Sequence, residues 1–76
     1  MKERVKRVLG QVLGMPPDKV ADNASMDTLE AWDSVKHMSL VMALEQEFGI
    51  QLSEQAIGEM LSLPLIVAVL KEHGVT

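Results

Sequence analysis

The chain has 76 residues, of which 47% are hydrophobic, and this length lies near the lower limit for one hydrophobic core. We therefore expect a single domain over residues 1–76, without a large enclosed active site. It contains no cysteine, which excludes disulfides, thiolate metal sites and a cysteine nucleophile, and any thiol chemistry would need an attached group. The net charge of −4 divides into four basic against one acidic side chain over residues 1–10 (+3) and three against ten over residues 11–76 (−7), and this acidic body argues against a nucleic-acid partner.

Residues 3–14 are predicted to form a first helix. Its apolar side chains recur at spacings of three and four and define one face: Val5, Val8, Leu9, Val12 and Leu13. Gly14 and the pair Pro16-Pro17 end this helix, because proline lacks an N–H group and restricts the residue before it. The apolar run is too interrupted for a signal peptide, and no segment reaches membrane-spanning length, so a soluble, cytoplasmic protein is expected.

Residues 15–33 are predicted to form an irregular loop. A connection of this length in so small a domain is usually functional or is pinned by its own apolar residues. Val20, Met26 and Leu29 are expected to pack on the helices, and Trp32 is expected to lie partly exposed beside Ser34. The aspartates of the loop lack the alternating ligands, central glycine and terminal glutamate of a calcium-binding loop, so no metal site is predicted.

The longest amphipathic segment, from Val35 to Phe48, contains no glycine or proline and is predicted to form a second helix. Its apolar residues follow two neighbouring stripes, with Val41, Leu44 and Phe48 on one and Met38 and Met42 on the other. Asp33 and Ser34 are residue types that cap the start of a helix, and Gly49 ends this one.

Two interpretations of Ser34 are open. In the first it is an ordinary N-cap, whose side-chain oxygen accepts from the free backbone donors of the first turn. In the second its hydroxyl carries a phosphodiester, because the N–H groups and the positive end of the helix dipole favour a phosphate there. A hydrolase triad with Asp33 and His37 is rejected, since no second acid is placed to orient His37, which is expected at the surface. The chain itself is expected to catalyse nothing.

Two more helices are predicted after the second. Ser53 is expected to cap a short third helix, which Gly58 weakens by roughly 1 kcal/mol relative to alanine. This helix is expected to contain Ala56, Ile57, Met60 and Leu61. The last helix begins at Leu63-Pro64 and ends at His73-Gly74, with Ile66, Val69 and Leu70 on its buried face. The predicted fold class is therefore all-α, with three main helices, one short third helix and a long first loop.

The segments Asp33-Ser34-Val35 and Leu40-Val-Met-Ala-Leu-Glu-Gln-Glu-Phe-Gly-Ile50 together resemble the modification-site helix of acyl carrier proteins, whose usual core reads Asp-Ser-Leu followed by a Leu-Val-Met-Ala-Leu-Glu-type helix. The similarity covers nearly the whole chain. It implies a four-helix bundle in which a magnesium-dependent transferase moves 4′-phosphopantetheine from coenzyme A to Ser34, with Asp33 recognised by the transferase. An acyl chain carried there as a thioester is activated and tethered. In the family it can also fold back between the helices, here into a core including Val41, Leu44, Ile57 and Leu61.

The same resemblance implies a docking face on the second helix, formed by Val35, Met38, Met42, Glu45 and Glu47. Core filling is the alternative for the two methionines. Positions that are commonly acidic in the family carry Lys36, Ser39 and Gln46 here, which predicts weaker attraction to the basic surfaces of fatty-acid synthesis enzymes. Trp32-Asp33-Ser34 with His37 is more similar to the stand-alone carriers of specialised pathways.

The leading hypothesis is a discrete, monomeric acyl carrier in a dedicated pathway of fatty-acid, polyketide or lipid type. Its partners would be the transferase and acyl-loading and acyl-processing enzymes. An aminoacyl or peptidyl carrier would use the same serine, but the glycines usual before it are replaced by Glu30-Ala31-Trp32. A helical interaction module, in which Ser34 is only a cap, is a third alternative, and a serine hydrolase comes last. The cargo, the pathway and the loading enzyme depend on partners outside the chain.

Overall fold

The computed structural model describes residues 1–75 and consists of four helices joined by loops. They are α1 (Lys2–Leu13), α2 (Ser34–Phe48), α3 (Glu54–Glu59) and α4 (Leu63–Glu72), with one 3-10 turn at Pro17–Lys19. Apart from an isolated bridge between Ser25 and Ser62, the described residues contain no β pairing. The all-α prediction with three main helices, a short third helix and a long first loop is confirmed.

Helix α1 packs through the predicted apolar face. Val5, Val8 and Leu9 are buried in the core, while Val12 and Leu13 are partly buried at its edge. The helix ends at Gly14, whose φ of 72° lies in the left-handed region that glycine adopts without steric cost. Its N–H group and that of Met15 both donate to the Gly10 carbonyl oxygen, so the chain folds back over the last turn of α1.

The long loop is held against the bundle by its own apolar residues, as predicted. Val20 is buried, and Met26 and Leu29 pack partly buried against the core. Two backbone hydrogen bonds join the loop to the connection between α3 and α4. The Met26 N–H donates to the Leu61 carbonyl oxygen at 3.0 Å, and the Leu63 N–H donates to the Ala24 carbonyl oxygen at 2.8 Å.

Two expectations for apolar side chains are wrong. Trp32 is only 2% exposed and lies in the core, because its indole N–H group finds a buried partner, described below. Leu61 was expected in α3 and in the core, but α3 ends at Glu59 and Leu61 is 47% exposed. Met60, just after the helix, is fully buried in its place.

Serine caps begin the two C-terminal helices. The Ser53 hydroxyl oxygen accepts from the Ala56 N–H group at 3.1 Å, and the Ser62 hydroxyl oxygen accepts from the Leu65 N–H group at 3.3 Å. Helix α4 then buries one face against α1 and α3. This face consists of Leu63, Ile66, Val69 and Leu70.

A side chain from α1 reaches the end of α2. The Arg4 guanidinium donates to the Glu47 carboxylate at 3.0 and 3.1 Å and to the Glu47 carbonyl oxygen at 3.1 Å. Its central carbon also lies 4.5 Å from the centroid of the Phe48 ring, a cation–π distance. The two helices are therefore joined at the end of α2 opposite Ser34.

Candidate functional site

Ser34 is the first residue of α2, and its side chain is exposed. The preceding residue, Asp33, has extended backbone angles and caps the helix: its Oδ1 accepts from the Lys36 N–H group at 2.9 Å. The capping role considered for Ser34 is therefore filled by Asp33. Among residues 1–75 the Ser34 hydroxyl makes no hydrogen bond, so it projects free at the start of the helix.

The electrostatic setting at this point favours an anion. The first backbone N–H groups of a helix have no intrahelical partner, and the aligned peptide dipoles place partial positive charge there. Asp33 satisfies the Lys36 N–H group, whereas the N–H groups of Ser34 and Val35, the first two of the helix, have no intrahelical acceptor. A phosphodiester on the Ser34 oxygen would lie at this positive end.

An apolar stripe extends along α2 from Ser34. Val35, Met38 and Met42 are 75%, 54% and 62% exposed, and their spacing of three and four places them on one helix face. The opposite face of α2 is buried in the core through Leu40, Val41 and Leu44. The two methionines thus lie at the surface, and core filling, the alternative considered for them, is wrong.

The two glutamates expected on the docking face have partners within the chain. The Glu45 carboxylate accepts from the Leu52 N–H group at 2.9 Å and so fixes the turn after α2. The Glu47 carboxylate binds Arg4, as described above. Both carboxylates stabilise the fold, whereas Lys36, Ser39 and Gln46 are exposed on α2.

His37 is buried, not at the surface as expected. It is 7% exposed, and its ring is stacked beside the Trp32 ring with centroids 6.0 Å apart. The Trp32 Nε1–H group donates to His37 Nδ1 at 3.0 Å, and His37 Nε2 lies 2.9 Å from the Ile57 carbonyl oxygen. The sequence contains one signal for this arrangement, a Trp five residues before a His at one end of an amphipathic helix. The expectation that α2 is exposed at this position left that signal unused.

This geometry leaves no catalytic triad. Both ring nitrogens of His37 are engaged by Trp32 and Ile57, so neither is available to accept the Ser34 proton. Within the part of the chain that is described, no cluster of three or more His, Cys, Asp or Glu side chains could hold a metal ion. Nor does any helix of residues 1–75 have both the length and the apolar character needed to cross a bilayer.

Comparison with known proteins places these features in one family. A family profile described as "Phosphopantetheine attachment site" matches residues 3–73. An acyl carrier protein of Zymomonas mobilis subsp. mobilis is 39% identical over 72 residues, which cover 93% of this chain and 91% of that protein. Acyl carrier proteins of Bradyrhizobium sp. strain ORS 278 and Rhodopseudomonas palustris strain TIE-1 are 45% and 44% identical over 62 residues, covering 80% of this chain and 77% of each relative. The similarity spans all four helices.

Proposed function

Because the chain belongs to the acyl carrier protein family, whose members carry covalently attached 4′-phosphopantetheine, we propose that Ser34 is the residue that receives this group. The observation that carries the proposal is the free, exposed hydroxyl of Ser34 at the start of α2, with helix capping left to Asp33. An acyl carrier role follows from family membership, and the bound group would supply the thiol that the chain lacks.

The protein's own part in the modification is to present an accessible oxygen in a suitable field. In the transfer the Ser34 oxygen bonds to the phosphorus of the pantetheine arm, the phosphoanhydride bond to the nucleotide of coenzyme A breaks, and the serine proton passes to a base of the transferase. Ser34 needs no base of its own chain for this step. Asp33 has two roles in the proposal: it caps α2 and it offers the transferase an exposed carboxylate beside the serine.

Intact mass spectrometry tests the assignment. The purified protein is incubated with coenzyme A, magnesium and a broad-specificity phosphopantetheinyl transferase. One phosphopantetheine is expected on the wild type and on Ser39→Ala, a matched control at an exposed serine of the same helix, and none on Ser34→Ala. An unmodified wild type under conditions that load a known carrier, or a modified Ser34→Ala protein, would refute the proposal.

The docking face that we propose for the carrier comprises the apolar stripe Val35, Met38 and Met42. The two glutamates predicted to take part in docking are Glu45 and Glu47. Apolar contact is expected to contribute most of the binding free energy, because the two carboxylates are already engaged within the chain. Met38→Gln and Met42→Gln should each raise the KM of a loading enzyme severalfold, while Glu47→Gln should change it little. A larger effect of Glu47→Gln than of either methionine variant would show that charge dominates docking.

For the pathway, we propose dedicated fatty-acid, polyketide or lipid-type biosynthesis, carried out by a monomer in the cytoplasm. The support is Lys36, an exposed cation in the first turn after Ser34, which opposes binding to a basic enzyme surface. Lys36→Glu is therefore expected to increase the rate at which a housekeeping fatty-acid elongation enzyme accepts the acylated carrier, and added salt should reduce that gain. An equal rate for wild type and Lys36→Glu would contradict this part of the proposal.

A further inference from the structure

Three parts of the chain meet at the buried ring of His37. The indole N–H group of Trp32, in the loop before Ser34, donates to Nδ1 at 3.0 Å. On the other side of the ring, Nε2 lies 2.9 Å from the carbonyl oxygen of Ile57 in α3. An indole nitrogen is only a donor, so Nδ1 must be the acceptor and the ring proton must reside on Nε2, where it donates to the carbonyl. The two contacts require the same neutral tautomer and therefore depend on each other.

Helix α3 has few other attachments. It has six residues, of which only Ala56 is buried, and Gly58 lowers its intrinsic helix stability. The Ile57 carbonyl oxygen belongs to the last turn, where carbonyl groups lack the usual intrahelical partner. It receives a long bond of 3.3 Å from the Met60 N–H group and the shorter one from His37. A side chain of α2, His37, therefore supplies the second hydrogen bond to this carbonyl group at the end of α3.

We propose that His37 is a positioning residue that couples α3 to the loop immediately before Ser34, through a relay defined as Trp32 Nε1–H, the His37 ring and the Ile57 carbonyl oxygen. If α3 moves away, Nε2 loses its acceptor, the Nε2–H tautomer is held only by the contact with Trp32, and the hydrogen bond from the indole N–H group two residues before Ser34 is weakened. The coupling is reciprocal, because release of Trp32 equally frees the ring and weakens the bond to α3. The structural coupling stands independently of Ser34 modification, and only its effect on carrier loading rests on the proposed function.

The first test uses the unmodified protein. Ring nitrogen NMR shifts of His37 at neutral pH should show the Nε2–H tautomer alone in the wild type and a larger Nδ1–H fraction in Trp32→Phe, where only the Ile57 carbonyl oxygen still favours Nε2–H. Amide hydrogen exchange in α3 should then be about fivefold faster in Trp32→Phe, relative to α1 of the same protein, as expected for loss of one hydrogen bond. Leu29→Ala, which removes a partly buried loop side chain outside the relay, is the matched control. It should not make amide hydrogen exchange in α3 faster relative to that in α1.

The second test concerns Ser34. Trp32→Phe and His37→Leu should lower kcat/KM of the transferase by about fivefold, and His37→Gln should recover part of the loss because an amide both accepts and donates. The relay would be overturned if the His37 ring of the wild type carried its proton on Nδ1, or if amide exchange in α3 were unchanged in Trp32→Phe. Both results can be obtained even if His37→Leu fails to fold. A relay seen by NMR and exchange in a protein that no transferase modifies would instead refute the carrier assignment and leave the coupling intact.

Discussion

The same substitution at two helical glycines is expected to have opposite effects. A methyl group added at Gly10, in the buried face of α1, would lie 2.5 Å from the Met15 carbonyl oxygen and 3.5 Å from the Pro17 nitrogen. Both atoms belong to the backbone, and the Met15 N–H group is bonded to the Gly10 carbonyl oxygen at 2.9 Å, so the neighbour cannot move without breaking the helix end. A methyl group at Gly58, in α3, meets nothing within 4 Å.

The magnitudes follow from two opposing effects. Alanine is favoured over glycine inside a helix by about 1 kcal/mol, while forcing an additional methyl group into a packed site costs about 1–3 kcal/mol. Because the methyl group at Gly10 meets backbone atoms at 2.5 Å, its cost lies in the upper part of this range, about 2–3 kcal/mol, and Gly10→Ala should lower the free energy of unfolding by about 1–2 kcal/mol in spite of its better helix propensity. Gly58→Ala has only the favourable effect and should raise the free energy of unfolding by about 0.5–1 kcal/mol.

Urea denaturation followed by circular dichroism at 222 nm measures both changes. The two variants have the same composition, so their m-values should agree and the midpoints alone should separate them, Gly10→Ala below the wild type and Gly58→Ala above it. A Gly10→Ala protein as stable as the wild type would show that α1 and the chain after it are not in close contact. A destabilised Gly58→Ala protein would show that α3 is not helical at that position.

Four other substitutions test contacts of the helix ends and surface. Asp33→Ala should lower the free energy of unfolding by about 1 kcal/mol through loss of the N-cap, whereas Ser34→Ala should change it by less than about 0.5 kcal/mol, as measured by urea titration. Hydrogen bonds, first from Lys6, hold the pKa of Asp22 below its ordinary 3.8, so this group stabilises the fold above that pH and the contribution is lost as the pH falls through the lowered pKa. Asp22→Asn should accordingly flatten the decline in thermal midpoint below pH 4, and an unchanged slope would refute the pairing. Arg4→Lys should cost less than about 1 kcal/mol, because an exposed pair loses its bidentate geometry but keeps its charge; a salt-independent loss of several kcal/mol would contradict this.

Periodicity was sufficient to predict the main helices. The face of α1 follows from Val5, Val8 and Leu9 at spacings of three and four, and Ser53 is recognisable as a cap because a hydroxyl before a helix accepts from its first turn. These signals are local, since the residues that produce them lie within two turns of one another. The position of Ser34 at the start of α2 could be predicted for the same reason.

The interior of the site is completed by contacts between distant segments, which the local spacing of Trp32 and His37 does not reveal. The sequence shows no second acid to orient His37 and therefore predicts it at the surface. Its burial depends on partners for both ring nitrogens, and one of them, the Ile57 carbonyl oxygen, is 20 residues away. The docking role predicted for Glu47 follows from the family resemblance, and its ion pair with Arg4, 43 residues earlier, is invisible to any local pattern. Periodicity identifies a face of a helix, whereas pairing of polar groups is decided by which segments the fold brings together.

The contact between α1 and the end of α2 has a consequence for truncated forms of the protein. Helix α2 has no basic residue in its own last turn, and the cation that offsets the negative end of its dipole is Arg4, which also donates to the Glu47 carbonyl oxygen. During synthesis this arginine emerges long before the carbonyl group that it binds. A chain lacking its first five residues would therefore fray at the far end of α2, while the turn that carries Ser34, held by Asp33, would retain its own cap.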